Sequence, residues 1–299
     1  TKLIIKSKNN DFVNIEKISV IYNAEIPQSL TIAKEAEKDL LSREVDVELQ
    51  ALYPSRTKKT KEFSRDISLA IAIGGDGTLI SIARFYAQFD IPVLGINHGR
   101  LGFLSQLSKD NIKEGFDSLF NGNFQIEERL MLNVFDSPNE SFNFNALNDV
   151  VIKGGALART EKLYLYLNDR HVCDYLADGL IVSTPTGSTA YTLSAGGPIV
   201  TPCLDVMVIV PICPHSLSTR PLVIPGDEKI TVKTDSHWSE LYITADGQKN
   251  YELDKKNVIE IKKHPKKAKL IIIDRKNNSF YSVLRQKLHW GVSPREGAV

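Results

Sequence analysis

Five apolar residues, Leu69–Ile73, run straight into Gly74-Gly75-Asp76-Gly77-Thr78, and a helical spacing (Leu79, Ile82, Ala83, Phe85, Tyr86) starts at once. A buried strand, a glycine turn and a helix in immediate succession restrict the fold to βα units. Their strands lie parallel, and ligands collect at the strand carboxyl ends. Glycine lets backbone N–H groups approach an anion, and a helix start adds partial positive charge. Asp76 is the anomaly in such a cradle. A carboxylate facing phosphates is costly unless it holds a metal ion, accepts a proton or binds a hydroxyl, and all three belong to phosphoryl-transfer chemistry. The competing reading is a turn aspartate that satisfies local amides.

No GxxxxGK[ST] occurs, so the turn is not a Walker-type phosphate loop, and no GxGxxG with a downstream acid supports a Rossmann dinucleotide site. At 299 residues two domains are expected. Lys+Arg 37 against Asp+Glu 36 gives a net charge of +1 and no global pull toward nucleic acid or membrane. Cys173, Cys203 and Cys213 form no CxxC pair and sit beside no metal-spaced histidines, so no protein cluster for a metal is expected. Scattered thiols suit a reducing cytoplasm. Runs such as Val206–Ile212 are too short to span a bilayer, and the N-terminus lacks a signal-peptide pattern.

The first part alternates strand and helix: Lys17–Tyr22, helix Thr31–Leu41, Val45–Leu52, Leu69–Ile73, helix Leu79–Gln88, Pro92–Ile96. Later come short strand-like runs: Gln125–Leu132, Leu163–Leu167, Leu180–Ser183, Val206–Val210, Lys229–Thr234, Glu240–Ala245, Val258–Lys262 and Leu270–Asp274. Tyr281–Leu288 reads as helical. The expected organisation is an α/β domain over 1–124 carrying a parallel sheet with helices, a β-rich domain over 125–274, and a tail over 275–299.

Several polar groups stand at the ends of these runs. Asn148-Asp149 is an amide–carboxylate pair suited to a vicinal diol, or an ordinary turn. From Asp178 to Tyr191, hydroxyls, a glycine and an aromatic follow the strand Leu180–Ser183. Ser188, Thr189 or Thr192 could cap a short helix there, and Tyr191 offers a ring face. His215 and Ser216 lie in a proline-rich loop with Arg220, a candidate phosphate ligand or interface residue. Asp246 follows a strand in a DGQ turn, and Gly99 and Arg100 follow Ile96. The basic run Lys262–Lys269, broken by Pro265, reads as a solvated turn.

GGDGT resembles the signature shared by NAD kinases, diacylglycerol and sphingosine kinases, and 6-phosphofructokinases. GINHGRLGFL (Gly95–Leu104), LND (Leu147–Asp149), DGLIVSTPTGSTAYTLSAGGPI (Asp178–Ile199), PHSLSTRPLVIP (Pro214–Pro225) and DGQ (Asp246–Gln248) narrow it. Together they resemble the bacterial NAD kinases. The resemblance implies an NAD kinase-like fold and Mg²⁺-dependent transfer of phosphate from ATP to the 2′-hydroxyl of the adenosine ribose of NAD. Asp76 would contact that hydroxyl as catalytic base and could also hold Mg²⁺. Gly77, Asn148, Asp149, Asp178, Thr186, Thr189, Ala190, Tyr191 and Asp246 would bind NAD. Gly74, Gly75, Arg100 and Arg220 would face phosphates. Asp149 stands where the family carries Glu. The resemblance further implies that the C-terminal tail packs on the N-terminal domain, that the active site lies in an interdomain cleft, and that the chain forms a homo-oligomer, tetramer or dimer. The rivals are a lipid or sphingoid-base kinase of the same superfamily and a non-catalytic NAD(P)-binding regulator.

Overall fold

The computed structural model describes residues 3–9, 12–55, 62–99, 102–137, 140–155, 160–234, 241–253, 257–273 and 279–289; Arg100 lies outside the described residues. The chain divides into two compact units, Thr1–Glu128 with Ala268–Val299, and Arg129–Lys267.

Among the described residues the first unit holds a seven-stranded sheet. Its order is Asp46–Leu52, Lys17–Asn23, Leu69–Ile73, Val93–Asn97, Ala268–Ile273, Phe124–Arg129, with Leu107–Ser108 paired beside Val93–Asn97. The pairings from Asp46–Leu52 through to Ala268–Ile273 are parallel. Every residue of Leu69–Ile73 and of Val93–Asn97 is buried, which is why Leu69–Ile73 reads as an unbroken apolar run. Helix Pro27–Ser42 begins with its proline in the first turn and lays Ile32, Ala33, Ala36 and Leu40 inward. From Lys17–Asn23 the chain crosses through this helix to the strand on one side, then returns to Leu69–Ile73 on the other. The strand order therefore reverses at the carboxyl ends of Lys17–Asn23 and Leu69–Ile73, the place where open α/β sheets take their ligands. Gly74–Thr78 emerges there.

The second unit holds two six-stranded antiparallel sheets among the described residues. One runs Asn143–Ala146, Leu132–Asp136, Val258–Lys263, Ile230–Thr234, Glu161–Leu167, Arg170–Ala177. The other runs Leu222–Pro225, Val206–Ile212, Gly179–Ser183, Asp149–Gly154, Leu241–Ala245, Lys249–Leu253. Their inward residues, among them Val134, Leu163, Ile152, Leu180, Val232, Ile243 and Ile259, form one apolar core.

The boundaries differ from the sequence expectation. Phe124–Arg129 and Ala268–Ile273 lie in the first unit's sheet, so the units part at 128/129 and 267/268, not at 124/125 and 274/275. Local pattern marks Leu270–Asp274 as a strand but carries no information on which sheet receives it. The helix Ile112–Phe120, which buries Ile112, Phe116 and Leu119, was not anticipated. The helix after the glycine turn spans Asp76–Tyr86 and starts three residues before Leu79, since first-turn N–H groups need no intrahelical partner. A final helix, Phe280–Leu288, is capped by Ser279, whose Oγ accepts from Ser282 N at 3.2 Å. The basic run Lys262–Lys269 carries the chain from one unit to the other; Lys262 reaches Glu260 at 3.1 Å and Lys263 pairs with Asp205.

Candidate functional site

The glycine turn is held by its neighbours. Gly74 N donates to Ile96 O at 3.0 Å, and a side chain at Gly74 would run into Thr78, with Oγ1 only 2.5 Å from its Cβ. Thr78 is itself gripped by Asn23 Nδ2 at 3.3 Å. Gly75 is different. Its φ is −82° and a Cβ there would meet nothing within 4 Å. The fold therefore makes no demand for glycine at 75, and what its bare backbone provides is an open face at a helix start where an anion can approach.

Asp76 is the first residue of the helix and half-buried, an acid placed favourably against the helix dipole. Its Oδ2 accepts from Phe103 N at 2.9 Å and its Oδ1 from Leu104 N at 3.3 Å. Those amides belong to the turn after Gly102, inside the run Gly95–Leu104 in which the sequence singled out Gly99 and Arg100. A carboxylate offers about four lone-pair positions. Two accept these amides, and the rest remain for a hydroxyl or a cation.

The second unit builds a separate constellation from three motifs. Leu147-Asn148-Asp149 turns into the strand Asp149–Gly154, and the carboxylate of Asp246 takes the amides of that turn. Asn148 N reaches its Oδ1 at 2.7 Å, Asp149 N at 3.2 Å and Leu147 N at 3.1 Å, while Leu147 N also lies 3.0 Å from Oδ2. Asp246 N returns a bond to Asp149 O at 2.9 Å. Asp246 adopts φ 52°, a left-handed conformation that aspartate tolerates better than most residues. On the other side Thr184 Oγ1 donates to Leu147 O at 2.6 Å and Thr184 N to Asn148 O at 2.8 Å. A Cβ on Gly187 would lie 2.1 Å from Asn148 O, so glycine is what lets the two turns touch. A pocket of about 460 Å³ opens here, lined by Asn148, Asp149, Lys153, Ala190, Tyr191 and Asp246. The buried Oδ1 of Asn148 has no protein partner among the described residues.

Residues 10–124 match the ATP-NAD kinase N-terminal domain and residues 147–273 the ATP-NAD kinase C-terminal domain. The chain is 40% identical over 282 residues to the NAD kinase of Caldanaerobacter subterraneus subsp. tengcongensis, covering 92% of this chain and 99% of that one. It is 44% identical over 227 residues to the NAD kinase of Moorella thermoacetica, covering 76% and 72%. The chain belongs to the NAD kinase family. Its structure resembles an NAD kinase from Archaeoglobus fulgidus solved in complex with ATP (TM-score 0.71, 26% identity, 89% of this chain and 98% of that one). It shares its fold with yeast NADH kinase complexed with NADH (TM-score 0.79, 23% identity, 98% and 92%).

Within this NAD kinase-family chain the structure distributes the expected residues unevenly. Asn148, Asp149, Ala190, Tyr191 and Asp246 share the pocket wall. Thr186 does not line it; it is buried, 3.5 Å from Arg129 Nη1. Thr189 Oγ1 bonds back to Thr186 O at 3.4 Å, also off the wall. Neither these hydroxyls nor Ser188 caps the helix Tyr191–Ser194, and Ser188 Oγ instead accepts from Val200 N at 3.0 Å. Asp178 stands at the opposite end of the strand Gly179–Ser183 from the turn that carries Ala190, its carbonyl taking Gly154 N. At ~3.3 Å per residue that strand separates them by on the order of 15 Å. Arg220 is exposed and folds its Nη1 onto Leu217 O and Thr219 O, away from the pocket. Gly99 N donates to Asn97 Oδ1 at 2.7 Å, tying that glycine to the strand end that also steadies Ser105. His215 bonds Thr160 at 2.8 Å. Among the described residues no three His, Cys, Asp or Glu side chains converge on a metal position. Sequence reading missed Lys153 and Thr244. Lys153 shares a strand face with Asp149 and Val151, and Thr244 lies across from Val151.

Asp149 is 5% exposed. Burial, and then the Asp246 carboxylate nearby, push its carboxyl up to about 7. The folded state thus binds this proton more tightly than the unfolded chain, whose carboxyl titrates near ~4. The group's contribution is complete below that value and is lost as pH rises through about 7. Asp149→Asn is therefore expected to match the wild type near pH 4 and to exceed its stability by up to roughly 4 kcal/mol at pH 8. Urea unfolding at the two pH values checks this, and an equal difference at both would refute it.

Proposed function

We propose that the chain is an NAD kinase, transferring the terminal phosphate of ATP to the 2′-hydroxyl of the adenosine ribose of NAD to give NADP. The observation that carries the reading is Asp76, a half-buried carboxylate with lone pairs to spare, set beside the open glycine face at the head of a helix. Phosphoryl transfer needs mostly alignment and charge neutralisation. Asp76 accepts a hydrogen bond from the attacking hydroxyl, orients it and takes its proton late. The Gly74 amide is taken by Ile96 O, so the donor phosphates approach the open backbone face at Gly75. In the second unit the Asn148 amide and Asp149 carboxyl bond the ribose hydroxyls, and Tyr191, 43% exposed, offers its ring to a base.

Mg²⁺ fits these residues, since it takes one or two carboxylates together with substrate phosphates. Asp76 is the group that would share in holding it, and the bound ion supplies neutralisation of the transferring phosphoryl charge. Asp178, which does not line the pocket, is assigned to the dinucleotide site of a neighbouring copy in a tetramer or dimer; a monomer in solution scattering would reject that assignment. Three free thiols, Cys173, Cys203 and Cys213, accord with a cytoplasmic setting.

Incubating the pure chain with NAD, ATP and Mg²⁺ and detecting product with an NADP-specific dehydrogenase tests the central reading. Formation of NADP is expected. A lipid kinase would require a lipid acceptor, and a regulator would bind NAD without product.

A further inference from the structure

We propose that Gly102 and Ser105 are positioning residues for Asp76, so that the turn after residue 101 sets the catalytic carboxylate in place. The inference rests on the kinase reading above. Its basis is a relay of hydrogen bonds within the first unit. Asn97, at the end of the strand Val93–Asn97, donates from Nδ2 to Ser105 Oγ at 2.9 Å. The same Oγ accepts from Gly102 N at 3.0 Å. Ser105 is 3% exposed and Asn97 4%, so both bonds form away from water, where a lost partner is felt. The serine thereby fixes both ends of a tight turn, and in that turn the N–H groups of Phe103 and Leu104 converge on the two oxygens of Asp76.

Gly102 has no positive φ, so local backbone conformation gives no reason for glycine there. The reason is the carboxylate. A Cβ at Gly102 would stand 2.0 Å from Asp76 Oδ1 and 2.8 Å from its Cγ, with Ser105 Oγ 2.7 Å away. The carboxylate rests directly on bare backbone, and two amides fix the direction of its remaining lone pairs. A base that must meet one hydroxyl benefits from a single rotamer. The last described helix adds a brace: Lys287 Nζ lies 5.2 Å from the centroid of the Phe103 ring.

The test uses the full chain. Gly102→Ala is expected to lower kcat about 100-fold, and Ser105→Ala about tenfold, with Kd for NAD and ATP changed less than about threefold. A merely structural role would weaken binding along with turnover. A double-mutant cycle in melting temperature supplies a readout besides activity. Gly102→Ala should lower Tm clearly less in the Asp76→Ala background than when Asp76 is present, because the added methyl then meets Ser105 Oγ but no carboxylate. The proposal is overturned if Gly102→Ala keeps kcat within about threefold of wild type, if binding and kcat fall together, or if the Tm effects add. Should Gly102→Ala fail to fold, Ser105→Ala decides alone, and an unchanged kcat sinks the idea. Failure of the underlying kinase reading is seen separately, as a wild-type chain that makes no NADP.

Discussion

Asp76→Asn is expected to reduce kcat by about a thousandfold or more while leaving the Kd for ATP within a few-fold of wild type. Two losses combine. The amide cannot accept a proton from the ribose hydroxyl, and general-base assistance is worth roughly 10²- to 10⁴-fold. The substituted NH₂ also confronts one of the two backbone donors, Phe103 N or Leu104 N, that now bond the carboxylate. Donor against donor forces the turn or the side chain to move, so the hydroxyl is no longer aligned even where it still binds. Stopped-time assays with saturating NAD, ATP and Mg²⁺ measure kcat, and calorimetry on the variant measures nucleotide binding. Retention of turnover within about tenfold of wild type would remove Asp76 from the role of base.

Asp246→Ala is expected to weaken NAD binding about 30- to 100-fold and to cost about 2–4 kcal/mol of stability. The carboxylate serves three successive N–H groups, of Leu147, Asn148 and Asp149. Bonds to a charged acceptor are worth more than neutral ones, and orphaned amides add a desolvation penalty. The turn that presents Asn148 and Asp149 to the pocket would lose its anchor. Asp246→Asn makes a sharper comparison. It keeps Oδ1, which accepts from all three amides, and gives up the Oδ2 contact to Leu147 N. It should therefore retain much of the stability. By removing the second cause of the raised Asp149 carboxyl, it should also bring that group back toward the ordinary range. Thermal unfolding and NAD titration of both variants check these outcomes. A Tm for Asp246→Ala within about 1 °C of wild type would show that the clamp is dispensable.

The two carboxylates were legible in the sequence to different depths. Asp76 stood out because a charge between glycines at a strand end has few bland explanations. Asp246 also followed a strand, but its chemistry in the fold is the reverse of a surface ligand: it faces the backbone of a segment about a hundred residues earlier, at |i−j| of 97 to 99. No periodicity marks such a contact. For a related reason a hydroxyl beside a glycine, as at Thr186, reads alike whether or not it lines a pocket.

The strand–turn–helix at Leu69–Tyr86, the parallel α/β sheet, the β-rich second half and the motif residues were set by local chemistry: apolar runs, glycine freedom and charge in an anion cradle act over a few residues and are visible in order. Which sheet received Ala268–Ile273, and which amides would occupy Asp76 and Asp246, was decided only by folding. Those contacts join segments far apart in the chain, and hydrogen bonds and exclusion of a Cβ depend on distances of an ångström or less. A linear pattern does not encode such distances.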